Sequence, residues 1–439
     1  MQAEKAVEKR MNKRILHLAI PNIISNLSVP LLGVADLALM GHLGTVQDIG
    51  AISLGGMIFN FIYWLFGFLR MGTTGFTAQA LGKRDFPGMM MHLSKALLVA
   101  ITTAAILLIL QSPVGWVSFK LVGSSPEVEA LTREYYRIRI WAAPATISLY
   151  AFTGWFIGMQ NTRFPMLLSI VINILNIGFN ALFIFVFGMR ADGVALGTVL
   201  AQYSGLLLAL FYFFRYYRKM LNYFTLDGIF HLTAFLRVNG NLFLRTLLLL
   251  MALSFFTVAS ARQSDNILAI NTLLLQFFTL FAYFLDGFAY SAEALTGRFI
   301  GAADSVRLRR MIRITFLWAS GLSLLFAIGY ATGHNLLLKV FTNKQDIILG
   351  AQEYLHWIIL IPLVTFPAFI WDGVFIGATA SKQMRNVMIV ATAGCFFPVY
   401  LLTVNPMGNH GLWLTFILFM ATRSVLMTRM AKKSIPRLQ

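Results

Sequence analysis

Apolar runs long enough to cross a bilayer recur from Ile15 almost to the end of the chain, and no other feature restricts the fold as much. A membrane-spanning helix needs about 20 apolar residues to cross about 30 Å of hydrocarbon. Twelve segments qualify, near 15–40, 48–70, 89–111, 134–158, 164–187, 192–214, 240–261, 266–297, 312–332, 354–378, 386–404 and 409–428. Backbone groups inside lipid must be satisfied within their own segment, so each run is predicted to be a helix. Pro and Gly occur in several, which membrane helices tolerate because neighbouring helices and waters re-satisfy the freed groups. With 58% hydrophobic and 12% charged residues, the chain reads as an all-α integral membrane protein with twelve transmembrane helices.

A formal charge of +18 would point to nucleic acid in a soluble protein. Its distribution argues against that partner here. Lys5, Lys9, Arg10, Lys13 and Arg14 precede the first span, and Lys83, Arg84, Arg215, Arg218, Lys219, Arg307, Arg309, Arg310, Arg313, Lys432 and Lys433 fall in loops on the same side. The opposite loops hold far fewer, which is the positive-inside signature with both termini cytoplasmic. The third loop departs from it, with Lys120, Arg133, Arg137 and Arg139 on the outer side. Residues 1–14 are charged and show no small-residue cleavage site, so no cleavable signal is expected. Cys395, the one cysteine, lies within a span and reads as packing.

The chain also repeats itself. "EYYRIRIWAAP…GWFIGMQNT" at 134–162 aligns with "EYLHWIILIPL…GVFIGATAS" at 353–381, a shift of 219. At the same shift Asn22 meets Asn241, and "LGKRD" at 81–85 meets "IGAAD" at 300–304. The expected organisation is a cytoplasmic segment 1–14, a first lobe 15–214, a cytoplasmic linker 215–239, a second lobe 240–430 and a tail 431–439. Two pseudo-symmetric six-helix bundles entering with one orientation imply an axis along the membrane normal and a cavity between them. That is a transporter architecture.

Within the apolar segments, "PLLGVADLALMGHLG" at 30–44 carries Asp36. Asn22, Asn26, Val29, Gly33 and Asp36 follow steps of four and three and share one helical face. Ionisable residues in spans face bundle interiors or water and are functional candidates; a structural Asp capping a kink at Pro30 is the other reading. Helical rise puts Asp36 roughly 30 Å from Ile15, in the outer half of the bilayer. Pro21, Pro30 and Gly33 would allow this helix to change shape. In the fifth span Ser169, Asn173, Asn176 and Asn180 share one face, and Thr198 and Gln202 are four apart in the sixth. Interhelical hydrogen bonding and cavity lining both fit these residues. The second half carries Arg245, Asp286, Glu293 and Asp372, expected to form an internal charge network or a second coupling or substrate site, with Arg245 contacting at least one acid. Arg245 is taken as the only basic residue well inside a span. Tyr150, Phe156, Phe255, Tyr283 and Tyr290 are weak cavity candidates.

No catalytic or metal constellation emerges. The seven His show no ligand spacing with Cys or acids, and no P-loop, G-x-S-x-G or H-E-x-x-H string occurs. The chain is therefore read as no enzyme. Without a nucleotide site, an ion gradient must supply the energy.

The strings "PNIISNLSVPLLGVADLALMGHLG", "GFTAQALGKRD" and "GMQNTRFPM" resemble the multidrug and toxic compound extrusion (MATE) family over nearly the whole chain. The last looks like the family's G-x-G-D-T-x-x-P-M with Gln and Asn replacing Gly and Asp. "DGFAYSAEALTGRFIGAAD" and "WDGVFIGATASKQMRN" look like its DinF branch. The resemblance implies a V-shaped pair of six-helix lobes, monomeric and in a bacterial inner membrane, exporting amphipathic cationic drugs in exchange for H⁺ or Na⁺ and using no cofactor. It implies Asp36 as the proton site, Pro21 as a bending point, and Asn176, Asn180 and Thr198 as lining of the first-lobe cavity. Asn180 stands where many relatives have Asp, so a two-carboxylate site is absent. Asp372 falls near an acid of the Na⁺-linked NorM branch, which leaves Na⁺ open. Desolvation favours the neutral form of a carboxylic acid and an approaching cation favours the ionised form, so substrate and proton can compete for one intramembrane Asp. A flippase for lipids or lipid-linked substrates is the alternative, disfavoured by the single intramembrane cation Arg245.

Overall fold

The structure is a computed structural model. It describes the backbone of residues 2–43, 45–122 and 124–435, and their side chains except those of 2–5, 29, 31–32, 34–43, 121–122, 432 and 434. The chain is helical throughout. In order come α1 (Gln2–Leu43), α2 (Val46–Leu65), α3 (Phe68–Lys83), α4 (Phe86–Ile109), α5 (Gln111–Val122), α6 (Pro126–Arg139), α7 (Ala143–Gly158), α8 (Arg163–Phe185) and α9 (Ala191–Tyr216). There follow α10 (Thr233–Gln263), α11 (Asp265–Gly301), α12 (Ser305–Phe341), α13 (Gln345–Glu353), α14 (Leu355–Gly377), α15 (Ser381–Ile389), α16 (Phe397–Met407) and α17 (Asn409–Ser434). Among the described residues 11 helical stretches are long and apolar enough to cross a membrane, and α1, which holds the expected span 15–40, is one unbroken helix. This is an all-α multi-pass membrane protein.

The chain divides into two compact units, 24–235 and 1–23 with 236–439. In the first, α8 lies along α9, α3 crosses α7, and α6 packs against α2 and α9. Phe59, Tyr63, Tyr135 and Tyr136 fill its centre, with the Phe59 and Tyr136 rings stacked at 5.3 Å. A second cluster forms around Trp155, which donates to the Met89 carbonyl at 2.9 Å. Phe156 is fully buried there against Phe164 and Tyr217, so it belongs to the core.

In the second unit α14 is central, touching α11, α12 and α17. Its interior holds a polar knot. Asn271 and Asn409 exchange amide hydrogen bonds at 2.6 and 3.0 Å, and Trp413 donates to Asn271 at 2.9 Å. Residues 1–23 also pack in this unit, whereas the sequence placed 15–23 in the first lobe. The reason is local. Ser291 donates to the Ile15 carbonyl at 3.1 Å, and Trp318 to Asn12 at 2.7 Å. Gly287 has no side chain where α1 passes, and a methyl group there would meet Ile23 and the Ala19 carbonyl.

The two units share one framework at a shift of 219 residues. Val46 and Asp265, Phe86 and Ser305, and Pro126 and Gln345 open helices at that separation. Among the described residues Arg84 and Ala303, and Gln160 and Thr379, are the four non-glycine residues with positive φ, from 54° to 64°, and they pair at the same separation. Asp85 caps α4 through Gly88 N–H as Asp304 caps α12 through Arg307 N–H, each at 2.9 Å. Where α3 crosses α7, a methyl on Gly154 would strike the Arg70 carbonyl; where α11 crosses α14, one on Gly373 would strike the Ala289 carbonyl. One difference lies between α15 and α16. Residues Val390–Phe396 form a π-helical turn directly before Pro398, whose missing N–H and bulky ring disfavour a regular α-turn.

Candidate functional site

In the first unit the polar faces of α8 and α9 close into a relay. Gly197 leaves room for the Asn180 amide, because a methyl there would sit on its oxygen. Asn180 donates to Asn176 at 2.9 Å, Asn176 donates to the Thr198 hydroxyl at 3.0 Å, and Thr198 donates to the Val194 carbonyl at 2.9 Å. All three side chains are buried, at 0%, 1% and 5% exposure, which shows how far they have left water. Asn173, one turn before Asn176, instead reaches α1, donating to the Ser28 carbonyl at 2.9 Å. Ser28 and Ser169 share a hydrogen bond of 2.9 Å beside it. The fifth-span stripe thus divides, with Asn173 and Ser169 tying α8 to α1 and Asn176 and Asn180 tying it to α9. Gln202 is half-buried on α9.

Along α1, Asn26 is half-buried, and Pro30 and Gly33 are exposed. Pro21 and Asn22 are buried and fall in the second unit, where Asn22 donates to its own helix at Leu18 O, 2.8 Å away. The sequence had grouped Asn22 with the first-lobe polar face. Asp36 lies on the helical backbone of α1, and its side chain lies outside the described residues.

Two of the expected C-terminal charges, Arg245 and Asp372, meet, with Arg423 as an additional member. Arg245 on α10 donates to Asp372 Oδ2 on α14, and Arg423 on α17 donates to the same oxygen at 2.9 Å. The three are buried, at 7%, 9% and 3% exposure. Asp286 on α11 is half-buried. Glu293 is fully buried two turns further along α11, where Gly377 of α14 packs over its carbonyl. Arg245 is not the only intramembrane cation, because Arg423 and Arg70 (on α3, 7% exposed) are buried as well. Both were legible as basic residues inside the segments 409–428 and 48–70, and an acid as deep as Asp372 calls for such partners.

Two guanidinium groups on one carboxylate oxygen leave that acid's charge fully engaged. The α8–α9 relay contributes amides and a hydroxyl but no charge. Among the first unit's carboxylates, Asp48 on α2 is fully buried and paired with Arg190 at 2.6 Å, and α1 carries another at position 36.

Comparison with known proteins fits this architecture. The MatE family model matches residues 21–182 and again 242–402, once in each half. The chain belongs to the MatE family. Members of this family are membrane transporters, so the chain is a transporter and not an enzyme. It is 36% identical over 421 residues to the DNA damage-inducible protein F of Escherichia coli (strain K12), covering 94% of this chain and 90% of that one. It is 22% identical over 357 residues to the probable multidrug resistance protein NorM of Photorhabdus laumondii, covering 79% and 78%. Among solved structures it is similar in fold to an outward-facing multidrug resistance MATE family transporter, with a TM-score of 0.87, 20% identity and 97% coverage of both chains. The Vibrio cholerae MATE transporter VcmN in its bent form follows, with a TM-score of 0.86, 18% identity and coverage of 98% and 99%.

Proposed function

We propose that this MatE protein exports amphipathic cationic compounds across a bacterial inner membrane in exchange for protons, with Asp36 as the group that changes protonation. The observation that carries the ion assignment is the state of Asp372. Of the second unit's acids it is the one that the resemblance ties to Na⁺ coupling, and Arg245 and Arg423 already neutralise it. A metal cation there would have to displace two buried guanidinium groups, which is costly in low dielectric. Asp36 shares α1 with Ser28, to which Asn173 is bonded, so its helix is fixed against the α8 face that bears the relay. The likeness to proteins named for multidrug resistance supports drug export.

A lipid flippase is the second reading, and the buried Arg70 gives it one observation, since cations inside a bundle suit anionic headgroups.

The test is transport by reconstituted protein under a pH gradient or a Na⁺ gradient, imposed separately. A pH gradient alone is expected to drive cation efflux, and Asp36→Asn to abolish it while leaving the protein folded. Drive by Na⁺ alone, or full efflux by Asp36→Asn, would sink the proposal.

A further inference from the structure

The four cations that run against the charge asymmetry gather in one place. Lys120 lies on α5, and Arg133, Arg137 and Arg139 lie on α6. Between these two short helices is a cavity of about 490 Å³, lined among others by Gln111, Ser112, Trp116, Arg133, Arg137 and Trp141. Three of the cations are engaged by neighbours. Arg133 donates to Glu129 at 2.9 Å and stacks over Phe119 at 4.4 Å. Arg139 lies over the Phe59 ring at 5.2 Å and donates to the Tyr135 hydroxyl. Lys120 sits over Trp116 at 4.9 Å. Arg137 is exposed on the cavity wall, and no carboxylate among the described residues pairs with it.

With Arg133 offset by Glu129, the cavity wall carries one positive charge that no carboxylate among the described residues pairs with, beside the neutral polar side chains of Gln111 and Ser112. Its rim is aromatic and apolar. Trp116 and Trp141 are 60% and 54% exposed, the arrangement of indoles at a membrane interface. Ile109, Leu110 and Val117 extend that apolar surface, at 78%, 46% and 47% exposure. A single anionic group attached to hydrocarbon fits both parts.

We propose that this cavity seats the phosphodiester of a bilayer phospholipid. Arg137 faces the phosphate, Trp116 and Trp141 flank the glycerol region, and the acyl chains run along Ile109, Leu110 and Val117. Arg137, one of the four basic residues that run against the positive-inside bias, then has a reason: the site needs a cation where the headgroup lies.

The proposal is a binding claim and is read without transport. The full chain, purified in detergent, is titrated with phosphatidylglycerol and retained lipid is counted by native mass spectrometry. Arg137→Gln is expected to lower the affinity of the tightest lipid about fivefold, the effect of one basic residue near a headgroup. Lys344→Gln, an exposed cation elsewhere, should leave it unchanged. Trp116→Ala should weaken retention too, and millimolar inorganic phosphate should not displace the lipid. Equal retention by Arg137→Gln and the parent chain overturns the site. Displacement by phosphate alone overturns the lipid assignment in favour of a free anion.

Discussion

Thr379 holds φ at +54° and Gln160 at +64°, where a Cβ crowds the backbone at about 1–2 kcal/mol. Both residues end a helix in the left-handed turn that glycine usually supplies, and in the related family string the position of Gln160 is a Gly. Thr379 is β-branched and therefore the more strained. Thr379→Gly is expected to raise stability by about 0.5–1 kcal/mol after allowing for the greater freedom of glycine in the unfolded chain. Thermal unfolding in detergent measures it, and a lower melting temperature would show that the Thr379 side chain contributes more than its strain costs. Single residues also mark how far sequence reading reached. The four-and-three spacing of Asn173, Asn176 and Asn180 placed them on one face, as the structure has them. It could not tell that Asn173 turns to α1 while its two neighbours turn to α9, because partner choice depends on which helices lie alongside.

Three helices meet at the Arg245–Asp372–Arg423 cluster, and its asymmetry decides what deletion does. Removing either arginine leaves a neutral pair, whereas removing the acid leaves two buried cations side by side. Asp372→Asn is therefore expected to destabilise most, by about 3–5 kcal/mol, with Arg245→Met and Arg423→Met each costing less. Adding Arg423→Met to Asp372→Asn should recover part of the loss, since only one cation then remains. Denaturation midpoints of the four variants test this order; an Asp372→Asn protein as stable as the parent would mean that water, and not the carboxylate, solvates the arginines. Elements were legible where composition alone decides them. The twelve spans stood out because a bilayer demands length and apolarity. The π-helical turn at Val390–Phe396 did not, because Pro398 announces a disturbance without saying how the backbone absorbs it.

The two units repeat their framework but not the charges inside the second unit's spans. Asp286 occupies the position of Gly67, Glu293 that of Thr74 and Arg245 that of Asn26, each 219 residues on. What recurs is close backbone approach, and its test is steric. Gly154→Ala and Gly373→Ala would each push a methyl into a carbonyl of the crossing helix, so both should lose about 1–3 kcal/mol. Gly321→Ala, with nothing within 4 Å of its Cβ, should lose none of that. If the two crossing-point variants are as stable as Gly321→Ala, the helices do not cross as closely as described. The duplication was readable because helix-ending strings such as "LGKRD" and "IGAAD" survive where the backbone needs them. The membership of residues 1–23 was not, since nothing in "RILHLAIPNII" says which half its apolar face will meet.

That membership makes α1 a built-in affinity tag. A chain opened at Asp227, in the exposed turn before α10, becomes two polypeptides, and the first still carries the 23 residues that complete the second unit. Co-expressed, the pieces should co-purify without any covalent link. Trimming the first piece to begin at Ile24 should weaken that association to what residues 228–235 still provide, Phe235 being stacked on Phe76 of the first unit at 5.6 Å, and an unchanged yield of paired pieces would show that residues 1–23 contribute nothing to it.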